Sequence, residues 1–150
     1  MADKDVLEEI INEWEKDSII DVNRIQDETV ETPFLHSKYL RMLSMWKKRR
    51  HIYEKKLTEL QAVKRRYYRG EMGREELESY GWNQYQGNRM IKTELEETLR
   101  GDSDILSIQS KIDLIDTVLY VLESIVKMIT SRDFEISNFI KYKMFMKGEE

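Results

Sequence analysis

The chain has 150 residues, of which 40% are hydrophobic and 36% are charged, and its formal net charge is −4. One proline and six glycines favour a single domain of long helices with charged faces. The absence of cysteine excludes a disulfide scaffold, a cysteine-based zinc site and a thiol nucleophile. No stretch reaches the roughly 18 consecutive apolar residues of a membrane span, and the acidic N-terminus is unlike a signal peptide, so we expect a soluble intracellular protein.

The first predicted helix covers residues 5–17, where apolar residues recur every four positions. A break follows at residues 18–21, and Asp21 can cap the next element. Thr32 and Pro33 then suit an N-cap and a first helical position, because the missing N–H of proline is not needed there. These signals predict that the second helix begins at Pro33.

The second predicted helix continues from Phe34 to Arg69, a stretch without glycine or proline. It would span about 54 Å at roughly 1.5 Å per residue, and Gly70 would end it. Large apolar residues recur on one face with a spacing of seven, which predicts a heptad-like seam that Arg50 interrupts. The residues of this seam are Tyr39, Leu43, Trp46, Tyr53, Leu57, Leu60 and Tyr67.

The same helix carries most of the basic residues. Residues 38–74 hold thirteen of the 25 Lys and Arg residues and three carboxylates, a net charge of about +10. Aromatic residues are interspersed among them, a pattern typical of surfaces that bind single-stranded nucleic acid.

Two clusters in this basic segment are candidate DNA contacts, residues 47–50 and residues 64–70. The cations of both clusters could neutralise phosphates, and the tyrosines of residues 64–70 could stack on unpaired bases. Alternatively, residues 47–50 form a solvated face, and in residues 64–70 the cations complement the helix C-terminus while the tyrosines pack in the core. Tyr68 is the better stacking candidate, because Tyr67 continues the apolar seam. The candidate DNA-binding residues are Lys47, Lys48, Arg49, Lys64, Arg65, Arg66, Tyr67, Tyr68 and Arg69.

Residues 71–101 are the least regular stretch, for which we expect a flexible or exposed connection with one short helix at residues 92–99. Glycines at positions 81 and 87 mark turns. Trp82 and Tyr85 in this stretch either stack on bases or cover the core.

The clearest periodicity follows, in a helix that Asp102 and Ser103 would cap. Its apolar residues alternate with spacings of three and four over nearly four heptads, and a second apolar stripe lies on other faces. One stripe can pack within the chain and the other against a neighbouring subunit, and we expect the aromatic segment 134–146 to dock as well. The candidate oligomerisation residues are Ile112, Ile115, Leu119, Leu122, Val126, Ile129, Phe139 and Phe145.

We therefore predict an all-α fold of long antiparallel helices with heptad-like packing. Residues 1–101 would form a DNA-binding region and residues 102–150 a helical oligomerisation region. His36 and His51 are fifteen positions apart without a metal-binding motif, and the glycines after residue 69 lack the spacing of a phosphate loop. We expect no catalytic residue, no metal and no cofactor.

Several short motifs, in their order and spacing, resemble the UvsY recombination mediator family of T-even-type bacteriophages. Residues 35–40 are similar to the family's Leu-Tyr-Ser-Lys-Trp-Leu, residues 64–70 share its Tyr-Tyr-x-Gly ending, and residues 129–136 are similar to Ile-Lys-Ser-Arg-Gly-Phe-Ala-Ile. Residues 12–24 and 104–106 add to the resemblance.

The resemblance implies a protein of the bacterial host cytoplasm that binds single-stranded DNA and forms a homo-oligomeric ring of six or seven subunits. It also implies two protein partners, a RecA-like recombinase and the single-strand-binding protein that the recombinase displaces. The family's DNA-binding motif, Lys-Ala-Arg-Leu-x-Tyr-Tyr-x-Gly, places its arginine on Lys64 and its tyrosines on Tyr67 and Tyr68. Its lysine falls on Ala62, and the longer segment 81–88 is a further departure.

A second interpretation is a non-enzymatic helical adaptor whose basic face binds an acidic protein partner. The basic segment alone is compatible with both, and binding to single-stranded DNA distinguishes them.

Overall fold

Helices make up the whole regular structure in the computed structural model, which describes residues 2–148. Within that range there are five α-helices, one short 3-10 helix and no strand, so the predicted all-α fold is confirmed. None of these helices is long and apolar enough to cross a membrane. The elements are α1 (Ala2–Asp17), the 3-10 helix (Val22–Arg24), α2 (Ile25–Tyr68), α3 (Arg74–Tyr80), α4 (Lys92–Arg100) and α5 (Ser103–Met146).

The prediction that the second helix begins at Pro33 was wrong, since Pro33 lies inside α2. An internal proline removes one backbone hydrogen bond and costs about 3 kcal/mol. The turn that precedes Pro33 is held by other contacts: Glu28 and Thr32 are buried, and the Thr32 hydroxyl donates to the Glu28 carbonyl at 3.2 Å. This local bond, together with the ion pair between Glu28 and Arg132 of α5, keeps the N-terminal part of α2 helical.

The ends that meet in the connection between the long helices agree with the sequence. Gly70 has a φ of +71°, and the N–H of Glu71 donates to the Arg66 carbonyl at 2.9 Å, which is the bond pattern of a glycine-ended helix. Asp102 caps α5, because its carboxylate accepts from the N–H groups of Asp104 and Ile105 at 2.9 and 3.1 Å.

The chain packs as two units. The first comprises residues up to Lys48 and from Leu114 onward, and the second comprises Arg49–Asp113. In the first unit an early residue of α2 pairs with a late residue of α5, and in the second the last turns of α2 pair with the first turn of α5, as expected of antiparallel helices. This division describes packing, and the functional division into residues 1–101 and 102–150 stays a prediction.

The core of the first unit uses both predicted seams. Tyr39 is fully buried, meets Trp14 edge to face at 5.5 Å and donates from its hydroxyl to Asp17 at 2.9 Å. Five of the candidate oligomerisation residues, which lie in one or other of the two units, are buried within the single chain, and Val126 and Phe139 are half-buried. The five are Ile112, Ile115, Leu119, Leu122 and Ile129.

The C-terminal segment docks on its own chain only in part. Ile136 is buried and Phe139 is half-buried. α5 continues as one helix to Met146, and Phe134, Ile140 and Phe145 are exposed, the last with 78% of its surface accessible. The single chain therefore covers only part of this segment, and docking of the exposed apolar residues stays a prediction.

A buried ion pair joins α2 to α5 in the first unit. The Arg132 guanidinium donates to the Glu28 carboxylate, and both side chains are almost inaccessible to solvent. The same guanidinium lies 3.5 Å from the carbonyls of Asp17 and Ser18, so Arg132 also holds the segment that follows α1. Its Nε has no hydrogen-bond partner among the described residues.

We predict that Glu28→Ala destabilises the fold by about 3–5 kcal/mol, because it leaves the Arg132 charge buried without its partner. The matched control is Glu78→Ala, which removes the carboxylate of the exposed pair with Arg74 and should cost about 0–1 kcal/mol. Urea unfolding followed by circular dichroism measures both. Equal effects of the two substitutions would contradict this interpretation.

Candidate nucleic-acid interface

The second predicted basic cluster lies on the last turns of α2, and its first member is buried. Lys64 has 6% of its surface exposed, and its ammonium lies 3.1 Å from Asp102 and 2.8 Å from Asp104. The Tyr68 hydroxyl donates to the same Asp102 carboxylate at 2.7 Å. One carboxylate therefore caps α5, neutralises Lys64 and fixes Tyr68.

The pKa shifts of these three groups agree with one ionised network. Burial opposes the charge of Asp102, but the hydrogen bonds from Tyr68, the Ile105 N–H and Lys64 outweigh it and hold its pKa below the ordinary value of 3.8. Burial also opposes the charge of Lys64, yet its bonds to Asp104 and Asp102 raise its pKa. Burial and the bond to Asp102 raise the pKa of Tyr68, which stays protonated.

An aromatic cluster surrounds this network. Tyr67 contacts the rings of Tyr68, Trp82 and Tyr85 edge to face, with centroids 5.1 to 5.9 Å apart. Tyr80 stacks on Trp82 at 4.5 Å, and the Lys64 ammonium lies 4.1 Å from the centroid of the Trp82 ring. Each ring is held by its neighbours, and Trp82 and Tyr85 are half-buried.

The two arginines that follow Lys64 are paired nearer the surface. Arg65 lies 3.3 Å from Glu96 on α4, and Arg66 makes two hydrogen bonds to Glu76 on α3 at 2.7 and 2.5 Å. Both pairs are partly exposed. Pairs of this kind contribute about 0–1 kcal/mol, so their cations remain exchangeable.

The remaining candidates project into solvent. Arg69 is exposed and has no ion-pair partner among the described residues, and the same holds for Lys47 and Lys48. Arg49 is also exposed. Lys47 and Lys48 end the N-terminal part of the first unit, whereas Arg49 and the 64–70 cluster belong to the second.

The net charge of about +10 counted for residues 38–74 therefore overestimates the charge that this segment presents to a ligand. Lys38, Lys64, Arg65 and Arg66 are paired with carboxylates outside residues 38–74. For Lys64 the burial is a reason to assign a structural role instead of the predicted phosphate contact. Tyr68 likewise uses its hydroxyl inside the fold, which leaves only a ring face for a base.

The connection between α2 and α5 is more ordered than the sequence suggested. The expected helix at residues 92–99 is present as α4, but α3 was missed, because it has seven residues and lies between glycines. Met72, Leu77, Leu95 and Leu99 are buried, and Leu95, Leu99 and Ile105 form a cluster against which Tyr68 and Met90 pack. The spacing of these apolar residues was the signal for a packed segment.

Among the described residues no group of three or more His, Cys, Asp or Glu side chains could hold a metal ion. The arrangement at the end of α2 instead offers cations, amide groups and aromatic faces, which suit phosphates and bases.

The family to which the sequence belongs is decided by a match over nearly its whole length. The sequence model of the family described as "Recombination, repair and ssDNA binding protein UvsY" matches residues 13–149. The chain belongs to the UvsY family. The resemblance found in the short motifs is therefore confirmed, and UvsY membership connects the chain with recombination, repair and single-stranded DNA binding.

The fold agrees with that of solved UvsY structures. Three crystal structures of the bacteriophage T4 recombination mediator protein UvsY, in lattice types IV, II and I, have TM-scores of 0.77, 0.80 and 0.81. They are 23–24% identical to this chain, cover 92–93% of it and are themselves covered over 96–98% of their length. Likeness at this identity establishes a shared fold. No curated protein matches the sequence.

We predict that Asp102→Asn destabilises the fold by an amount on the order of 3 kcal/mol at neutral pH. The pKa of Asp102 is lowered in the folded protein, so the stabilisation by its carboxylate is present above its ordinary pKa and is lost as the pH falls through the folded-state value. The difference in unfolding free energy between wild type and variant should therefore shrink below about pH 4.

Urea unfolding from pH 7 to pH 2.5 measures this difference. Asp133→Asn, an exposed position on α5, controls for the loss of one negative charge. A difference between wild type and Asp102→Asn that stays constant over the whole range would contradict the assigned network.

Proposed function

We propose that this chain is a recombination mediator that binds single-stranded DNA and promotes loading of a RecA-like recombinase onto strands covered by single-strand-binding protein. It acts in the cytoplasm of the bacterial host. Membership of a recombination, repair and single-stranded-DNA-binding family is the observation that supports this most strongly. The activity is one of binding and displacement, and it requires no catalytic residue.

In each of the two units, DNA contacts are made by the cations that solvent reaches. Lys47, Lys48 and Arg69 carry charge that no described carboxylate neutralises, and phosphate neutralisation with counterion release is the main source of affinity for such sites. Arg65 and Arg66 also bind phosphates, because each can leave its weak surface ion pair with a glutamate. Lys64 has a structural role in this site, since its charge is neutralised by Asp102 and Asp104.

Assembly into a homo-oligomeric ring brings together several copies of this weak DNA-binding site. Contacts between subunits come from apolar residues that the single chain leaves exposed on the last turns of α5, because the predicted seam is used inside the chain. Repetition of the cations around a ring raises the effective concentration of sites along one strand. The exposed residues are Phe134, Ile140, Tyr142, Met144, Phe145 and Met146.

We expect the affinity for fluorescent oligo(dT) to fall with salt, with log K decreasing by about 0.7 per phosphate contact for each unit of log salt. The triple variant Lys47→Ala, Lys48→Ala, Arg69→Ala should weaken binding and reduce this slope by about 2. Fluorescence anisotropy at several salt concentrations is the measurement.

The matched control removes the same charge elsewhere, by Lys16→Ala, Lys92→Ala and Arg100→Ala at exposed positions, and should leave the slope close to that of wild type. Absence of any binding at low salt would contradict the mediator function and favour the adaptor with an acidic protein partner.

For the ring we predict that Phe134→Asp with Phe145→Asp lowers the oligomer mass while the chain stays helical, because both side chains are exposed. Leu122→Asp is the contrasting variant and should unfold the chain, since Leu122 is fully buried. Native mass spectrometry and circular dichroism give the two readouts. A wild-type protein that is monomeric at micromolar concentration would contradict the ring.

A further inference from the structure

A cavity of about 490 Å³ lies at the end of α2. One side is formed by residues 68–71, and the other by residues 85–90 of the segment between α3 and α4. All of these residues belong to the second unit. The volume lies within the roughly 300–1,000 Å³ of pockets that hold small organic ligands.

Two aromatic and two apolar side chains form part of the cavity lining. Tyr68 and Tyr85 line it with their rings 5.3 Å apart, and Met90 and Leu95 line it from the core cluster. A planar ligand entering here would replace water on an aromatic face without disturbing the hydroxyl of Tyr68, which is bound to Asp102.

The charged side chains that line the cavity are mainly cationic. Arg69 and Arg89 are exposed and have no ion-pair partner among residues 5–148, and Asn88 contributes an amide. Glu71 is the one carboxylate in the lining. The two guanidiniums outnumber it, so the lining carries net positive charge.

Gly87 positions the aromatic wall. A Cβ at this residue would overlap the phenol end of Tyr85, so the segment folds back on its own tyrosine only because position 87 has no side chain. The ring of Tyr85 is thereby held at the cavity. It contacts the rings of Tyr67 and Tyr68, and Tyr67 in turn contacts Trp82.

We propose that this cavity holds one nucleobase of a bound single strand, stacked against Tyr85, with the phosphates that flank it at Arg69 and Arg89. A lining that combines aromatic rings with two cations matches the division of a nucleotide into a flat base and an anionic backbone. The inference rests on the proposed function and adds to it that the base itself contributes to affinity at this site.

The test compares oligo(dT) with an abasic oligonucleotide of equal length, which carries the same phosphates without bases. Stacking of a base on an aromatic side chain contributes about 1–3 kcal/mol, so wild type should bind oligo(dT) at least about tenfold more tightly. Tyr85→Leu, which keeps an apolar side chain over the core, should abolish most of this preference and leave the affinity for the abasic strand nearly unchanged.

Two further variants separate the contributions. Arg89→Ala should weaken binding of both oligonucleotides and reduce the salt slope by about 0.7. Tyr120→Leu, an aromatic residue of α5 with 71% of its surface exposed, is the matched control and should keep the full preference. Circular dichroism melting shows that each variant is folded. Gly87→Ala, which displaces Tyr85, should reproduce the loss of preference.

The outcomes distinguish this inference from the proposed function. Binding of both oligonucleotides with equal affinity by wild type would overturn the pocket and leave the mediator function standing, whereas binding of neither would overturn the function itself. Thymidine 5′-monophosphate is the second probe and should not compete at equal nucleotide concentration. Competition at that concentration would assign the cavity to a free nucleotide and overturn the proposal that the strand is its ligand.

Discussion

The carboxylate of Asp102 is the group on which the second unit depends. It accepts hydrogen bonds from two backbone N–H groups at the start of α5, from the Tyr68 hydroxyl and from the buried Lys64 ammonium. A buried cation without its partner is costly by several kcal/mol, so the end of α2 and the beginning of α5 are fixed to one another. The aromatic rings at the end of α2 take their positions from this arrangement, as does the cavity lined by Tyr68 and Tyr85.

This network changes what the charge pattern means for function. In the sequence Lys64 belongs to a row of cations and aligns with a residue of the family's DNA-binding motif. In the fold it is the inner member of that row, and the outer members Arg65, Arg66 and Arg69 face carboxylates near the surface or solvent. A site built in this way has a rigid base and exchangeable cations above it, which suits binding to a strand without sequence preference.

The long helices could be predicted because their signals are local: an apolar period over many turns, Gly70 at one end and Asp102 at the other. The helix start predicted at Pro33 was wrong, because the contacts that keep α2 helical around it come from Arg132, about a hundred residues away. Which basic residues are neutralised could not be predicted for the same reason, since Lys64 pairs with carboxylates nearly forty residues further along the chain. The sequence identified which residue types form the candidate site, but only the fold distinguishes the buried cation from the exposed ones.

We propose that single-stranded DNA binds at the end of α2, over the aromatic residues that the Asp102 network holds in place. Photocrosslinking of the assembled protein to an oligonucleotide with 5-iododeoxyuridine, followed by peptide mass spectrometry, locates the bases directly. We expect crosslinks in residues 67–91, with Tyr85 the main site. Crosslinks confined to the first unit, such as Tyr120 or Tyr142 on α5, would contradict it.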